Sequence, residues 1–123
     1  QGLAQFRAGA TSLAQETTGR AIVLARGIAA PETRAELLVR ALRLASLLDL
    51  QLGDLDLAES RLRESLALGG DRPALANDLR WNKYVLAVTL LRQGELQAAA
   101  AVFGEACWET AECFPEPHFH GPP

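Results

Sequence analysis

Two glycine–acid steps, Gly53-Asp54 and Gly94-Glu95, stand 41 residues apart in a chain of 123. On both sides of each step apolar residues recur at intervals of three and four, the spacing of one helix face. A helix that runs up to a glycine and restarts within two residues has to double back there. Glycine alone enters the left-handed conformation that such a reversal needs without a steric penalty. The acid that follows places negative charge at the start of the next helix, where the helix dipole favours it. Each step therefore predicts a tight helical hairpin, and their regular interval predicts that the hairpins repeat.

The rest of the chain fits that frame. Segment 33–52 carries Leu37, Leu38, Ala41, Leu44, Ala45, Leu48 and Leu52, and segment 55–68 carries Leu55, Ala58, Leu62, Ser65 and Leu66. Segment 75–93 offers Leu79, Lys83, Leu86, Ala87 and Leu90, and segment 96–113 offers Leu96, Ala99, Phe103, Ala106 and Cys107. Two shorter stripes come first: Leu3, Phe6, Ala10 and Leu13, then Ala21, Leu24, Ala25 and Ile28. With breaks at Thr17-Thr18-Gly19, Ala30-Pro31 and Gly69-Gly70-Asp71-Arg72-Pro73, the expectation is six helices in three pairs. The units would be about 1–31, 32–70 and 71–113, making one helical domain over 1–113. The end, FPEPHFHGPP over 114–123, holds four of the six prolines and reads as a flexible or extended tail. A hairpin cannot bury its apolar face alone, whereas hairpins stacked in register can.

Composition excludes several classes. Ala, Leu, Arg and Glu dominate, while β-branched and aromatic residues are few, which disfavours a β-sandwich or barrel. Residues 1–94 carry 12 basic and 10 acidic side chains, and residues from Glu95 onward carry five acids and no Lys or Arg. That distribution argues against nucleic-acid binding, which needs a basic stripe. No uncharged apolar run approaches the roughly 18 residues of a membrane span, so no membrane partner is expected. Two cysteines do not make a disulfide framework. The expected setting is therefore a reducing intracellular one, cytoplasmic or nuclear. Since the chain opens on Gln1 and contains no Met, it reads as a piece of a longer protein.

Superposing the two glycine steps lays Leu55 on Leu96, Ala58 on Ala99, Leu62 on Phe103, Ser65 on Ala106 and Ala45-Ser46 on Leu86-Ala87. This pattern resembles the tetratricopeptide repeat. That repeat has a large–small pair in its first helix, glycine at the turn and Ala in the middle of its second helix. An aromatic or Leu follows four residues later, and a small residue three after that. Leu86, Ala87, Gly94, Leu96, Ala99, Phe103 and Ala106 carry the resemblance best. In the unit before it, Ala45 stands where the family prefers a larger residue. In the first unit only Ala21, Ile22, Ala25, Gly27 and Ile28, closed by Pro31, match a second helix. The 41-residue interval exceeds the family's usual period of about 34. It is closer to the long repeats of kinesin light chains and spindle-orientation adaptors. HEAT repeats have comparable lengths, about 40–47 residues, but lack the glycine–acid turn.

The resemblance implies an all-α right-handed superhelix of antiparallel hairpins. It also implies a non-catalytic scaffold or adaptor whose first helices line a peptide-binding groove. Carried over position by position, the partner-binding residues are Arg40, Arg43, Leu47, Leu50 and Gln51 from one unit. The next unit supplies Trp81, Tyr84, Val88, Leu91 and Arg92. Independently of any family, Trp81, Tyr84, Val88 and Leu91 share a stripe distinct from that of Leu79, Leu86 and Leu90. A helix apolar on two faces is either buried on both or binds something. The expected partner is a protein or peptide segment bearing aliphatic and acidic residues, facing an aromatic floor and an Arg40/Arg43/Arg92 rim. The alternative is a structural piece of a longer solenoid, with Trp81 and Tyr84 packed on flanking repeats of the parent protein. The family's carboxylate clamp for chaperone tails needs Lys and Asn where this chain has Arg43, Leu47 and Val85, so chaperone-tail binding is not expected.

A third reading is a zinc-stapled module built from Cys107, Cys113, His118 and His120, all suitable zinc ligands. Their spacing, C-x5-C-x4-H-x-H, matches no familiar zinc module. Cys107 also falls on an apolar stripe, where a free cysteine is ordinary. Enzyme signatures such as H-E-x-x-H, G-x-S-x-G, a phosphate loop or G-x-G-x-x-G do not occur in the chain. No catalytic activity and no cofactor are expected.

Overall fold

Both glycine steps become hinges of the same geometry. Gly53 has φ 83° and Gly94 φ 86°. At the first hinge the Gly53 N–H donates to Leu50 O at 3.1 Å and the Asp54 N–H to Asp49 O at 2.8 Å. At the second, Gly94 N–H donates to Leu91 O at 3.0 Å and Glu95 N–H to Leu90 O at 2.9 Å. This pair of bonds satisfies the last free carbonyls of a helix that ends on a left-handed glycine. The next helix starts at once: Ala58 N–H donates to Asp54 O at 3.0 Å and Ala99 N–H to Glu95 O at 2.9 Å. The Asp54 side chain makes no capping hydrogen bond, so its contribution to the new helix is its charge.

The computed structural model describes residues 2–108, and within them the secondary structure is helical, with no strand. The helices are α1 (Gly2–Arg26), α2 (Pro31–Leu52), α3 (Leu55–Gly69), α4 (Ala76–Arg92) and α5 (Leu96–Trp108). A short 3-10 turn, Pro73–Leu75, leads into α4. Pro31 opens α2 at a position where its missing N–H leaves no bond unmade. Each helix packs on its neighbour in sequence, and α2 also meets α4. The hinges make α2–α3 one hairpin and α4–α5 another.

One expectation fails at the N-terminal end. Thr17-Thr18-Gly19 does not break the chain; α1 runs through it, so the described residues ahead of α2 hold one helix and no hairpin. The described residues thus form five α-helices where six were expected. The physical reason is local. The Thr18 hydroxyl donates to Ala14 O at 2.7 Å, within its own helix. A single interior glycine costs only about 1 kcal/mol relative to alanine, which the packing of Ile22 and Ala25 against Leu38, Leu42 and Ala45 of α2 outweighs.

The core lies along α2 and α4. Leu50, Ala58, Leu62, Val85, Leu86, Leu90 and Ala99 join the two hairpins near the hinges. Val39, Leu75 and Leu79 form a second group toward the other end. Asp49 is wholly buried on α2, and its carboxylate accepts bonds at 3.0 and 2.8 Å from Arg61 of α3 and another from Gln15 of α1. A buried carboxylate held this way is compensated; stripped of its arginine it would be strongly unfavourable. The buried face of α2 therefore includes Ser46 and Asp49, whereas Leu37 and Leu44 of the expected stripe are exposed. Three helices touch α2, so its inward face is wider than an apolar pattern alone marks out.

The hinges give a paired prediction. Gly53→Ala and Gly94→Ala should each lower unfolding free energy by about 1–2 kcal/mol, the cost of a side chain in the left-handed region. Gly19→Ala, where an added Cβ meets nothing within 4 Å, should raise it by about 0.5–1 kcal/mol. Urea titrations followed by circular dichroism check both signs.

Candidate functional site

The arginines expected on a groove rim form a seam between first helices. Arg40 donates to Asp78 Oδ2 from Nε at 3.3 Å and from Nη2 at 3.2 Å. Arg43 donates from Nη2 to Asp78 Oδ1 at 3.0 Å and from Nη1 to Asn82 Oδ1 at 3.0 Å. Asn82 is wholly buried; its amide nitrogen donates to Ser65 Oγ and to Val39 O. The Ser65 hydroxyl donates to the same carbonyl at 3.1 Å. Burial works against the Asp78 charge, yet the hydrogen bonds and charges of Arg40 and Arg43 together outweigh it and hold the carboxyl below its ordinary range. Arg92 donates from Nη1 to Leu50 O at 3.2 Å. Leu50, expected on the groove floor, is 7% exposed and belongs to the core. Its position one residue ahead of Gln51 and Leu52 at the hinge turns it inward, onto α3 and α4. Leu47 is exposed on α2, and Gln51 is exposed beside it.

The aromatic half of the expected site does gather at the surface. Trp81, Tyr84 and Leu91 are exposed on α4. Trp81 meets Tyr84 edge to face, with centroids 6.1 Å apart and planes at 89°. Tyr84 leans on Phe103 of α5 at 5.8 Å and 51°. Between α4 and α5 lies a hollow of about 390 Å³, lined by Tyr84, Ala87, Val88 and Leu91 on one side and Leu96, Ala99, Ala100 and Phe103 on the other. The Tyr84 hydroxyl is the single polar side-chain group in that lining. Sequence reasoning singled out Tyr84, Val88 and Leu91 as groove residues but placed Leu96 and Phe103 only on the apolar stripe of their own helix. They are 63% and 39% exposed. Their signal was present in the helical spacing, which does not say whether a further helix covers the face.

A larger and more polar cleft of about 1080 Å³ lies across the two hinges, bordered by Asp54, Asp56, Glu59, Arg63, Arg92, Gln93 and Glu95. Three of its charged groups, Asp56, Glu59 and Arg63, are matched within it. Arg63 donates to Glu59 at 2.8 Å, and the Gln93 amide nitrogen donates to Asp56 at 2.9 Å and to Glu59 at 3.2 Å. The Arg63 hydrogen bond leads in holding the Glu59 carboxyl below its ordinary range, against desolvation. Gln93 Oε1 is the one buried side-chain nitrogen or oxygen with no hydrogen-bond partner among the described residues.

Of the expected zinc ligands, Cys107 is a residue of α5, while Cys113, His118 and His120 lie outside the described residues, as does the expected tail 114–123. Among the described residues no group of three or more His, Cys, Asp or Glu could hold a metal ion. Within the same limits, no helix is long and apolar enough to cross a membrane. No protein-family model, curated protein or solved structure matches the chain.

The α2–α4 seam predicts an acid dependence with a definite sign. The Asp78 carboxyl lies lower in the folded state than in the unfolded chain. Its contribution is therefore complete above the ordinary carboxylate pKa of about 4 and is lost as pH falls through the lower folded value. Asp78→Asn should destabilise the fold at pH 7 by about 1–3 kcal/mol. The gap between variant and parent should close as pH drops from about 4 toward 2, as read by thermal unfolding across pH.

Proposed function

We propose that this chain is a non-catalytic interaction module that receives an amphipathic helix in the hollow between α4 and α5. We also propose that its two hairpins are successive long-period tetratricopeptide-like repeats, stacked with superhelical twist as scaffold or adaptor proteins of that kind are. The stacking proposal draws support from the matching bond patterns at Gly53 and Gly94 and from the packing of α2 on α4.

The observation that carries the binding proposal is the exposure of Tyr84, Leu91, Leu96 and Phe103 around one uncharged hollow. Contiguous apolar surface of this kind is the usual mark of an interaction site, and aromatic residues are enriched where interfaces concentrate their energy. The partner follows from the lining: aliphatic and aromatic side chains on one helix face, laid between two antiparallel helices. Acidic residues in the partner lose their earlier rationale, because Arg40 and Arg43 already share Asp78 and Arg92 is turned to Leu50 O.

Charge placed in the hollow tests this without disturbing the fold. Leu91→Lys, in the last turn of α4, and Leu96→Glu, in the first turn of α5, both suit the helix dipole at exposed positions. A panel of model amphipathic helices with Leu stripes on Lys/Glu backgrounds is titrated into the isotope-labelled protein. Amide and methyl shifts should concentrate at Tyr84, Val88, Leu91, Leu96 and Phe103. Each charge variant should weaken binding at least about tenfold, the loss of one buried leucine. Shifts centred on the Arg40/Arg43 seam, with both variants binding normally, would sink the proposal.

A further inference from the structure

The chain that leaves a hairpin packs back onto it once already in this molecule. Residues 73–82 follow α3, and within them Leu75 and Leu79 are buried beside Val39 of α2 and against Leu66 and Leu68 of α3. Shifted by the 41 residues that separate the hinges, this stretch falls on 114–123, FPEPHFHGPP. The second hairpin thus has a following segment of its own at the corresponding place. Its shape differs. Pro122 and Pro123 fall on Trp81 and Asn82 in the interior of α4, where proline breaks a helix, and Glu116 and His120 fall on Leu75 and Leu79. Residues 114–123 therefore do not repeat α4; four prolines favour an extended polyproline conformation instead.

The surface within reach of that segment is aromatic and aliphatic. Trp81, Tyr84, Leu91, Leu96 and Phe103 are exposed, around a floor closed by the buried Ala99. Phe103 of α5 leans on Tyr84 of α4, and α5 runs on from there to Trp108. The chain therefore leaves α5 at the Trp81 end of the hollow, away from the Gly94 hinge. Along α4 the distance from Trp81 to Leu91 is about 15 Å, at about 1.5 Å per residue. A polyproline segment covers that length in about five residues, at about 3.1 Å each. Residues 109–113 are left to turn the chain, and 114–123 are longer than the hollow. The chemistry matches as well. Residues 114–123 hold four prolines, two phenylalanines and one charged side chain at pH 7, Glu116, while the lining of the hollow carries no charge. Proline-rich segments dock on exposed aromatic rings because their extended form is already set and loses little entropy on binding. A tethered segment also acts at an effective concentration in the millimolar range, an advantage that no free partner has.

We propose that residues 114–123 of this same chain lie extended across the hollow between α4 and α5. Phe114 sits at the Trp81 end, and Phe119, about 15 Å further on, sits at the Leu91–Leu96 end. The proposal rests on the helix-binding reading above and adds its regulation: an incoming helix has to displace the chain's own tail.

Isotope-edited NMR on the full 123-residue chain tests it. Nuclear Overhauser contacts should join the Phe119 ring to the methyl groups of Leu91 and Leu96, and should be absent between differently labelled copies in a mixed sample. The double variant Phe114→Ser/Phe119→Ser should lose those contacts, shift the same methyl signals and keep its helical circular dichroism. A covered site binds with its affinity reduced by the fraction of chains left open. The variant should therefore bind the panel of model amphipathic helices at least about threefold more tightly than the parent. Absence of the contacts, with parent and variant binding the panel equally, would overturn the tail inference and leave the helix-binding function intact. Contacts present while neither protein binds any helix would support the seated tail and overturn the helix-binding reading. Absence of both contacts and binding would overturn both. Contacts found only between differently labelled copies would assign the hollow to the tail of a second copy and overturn the inference.

Discussion

A chain reversal within two residues, made possible by a left-handed glycine, sets the geometry of everything that follows it. At Gly53 and again at Gly94 the terminal carbonyls of one helix are satisfied by the glycine and the acid after it, and the next helix begins one bond later. So short a connection leaves its two helices no arrangement but antiparallel and adjacent. Both hinges use the same bonds, 41 residues apart.

What joins one hairpin to the next is part apolar and part polar. Val85, Leu86 and Leu90 of α4 fill the first hairpin's groove, and burial of such side chains supplies the main driving force. The chain from Arg40 and Arg43 through Asp78 and Asn82 to Ser65 and Val39 O adds direction to it. Hydrogen bonds among buried groups tolerate little sliding, since a displaced donor or acceptor is left unmatched. The polar seam thereby fixes the register in which α4 lies on α2, which the apolar side chains alone would leave looser.

The second groove keeps the apolar half of this arrangement and replaces the polar half. Aromatic rings stand where arginines stood, so the groove offers area and shape without demanding a matching charge.

The boundaries of α2, α3 and α4, both hinges and the inward face of α3 were legible in the residues, because glycine's conformational freedom and a period of three to four are local properties. The long α1 was misread at Thr17-Thr18-Gly19, since weak helix formers yield to packing against α2 that the local sequence does not display. Tyr84, Val88 and Leu91 could be picked out as a second apolar stripe; Leu96 and Phe103 were marked only as the apolar stripe of their own helix. Whether an apolar residue is core or surface depends on which helix comes to lie over it, and only the packing decides that. The arginines show the same limit: their identity was plain from the start. Only the fold brought Asp78 and Asn82 from α4 to within hydrogen-bonding distance of them, turning an expected rim into a seam. Local stereochemistry is written residue by residue, but the meeting of residues some 35 to 39 positions apart is a property of the folded chain.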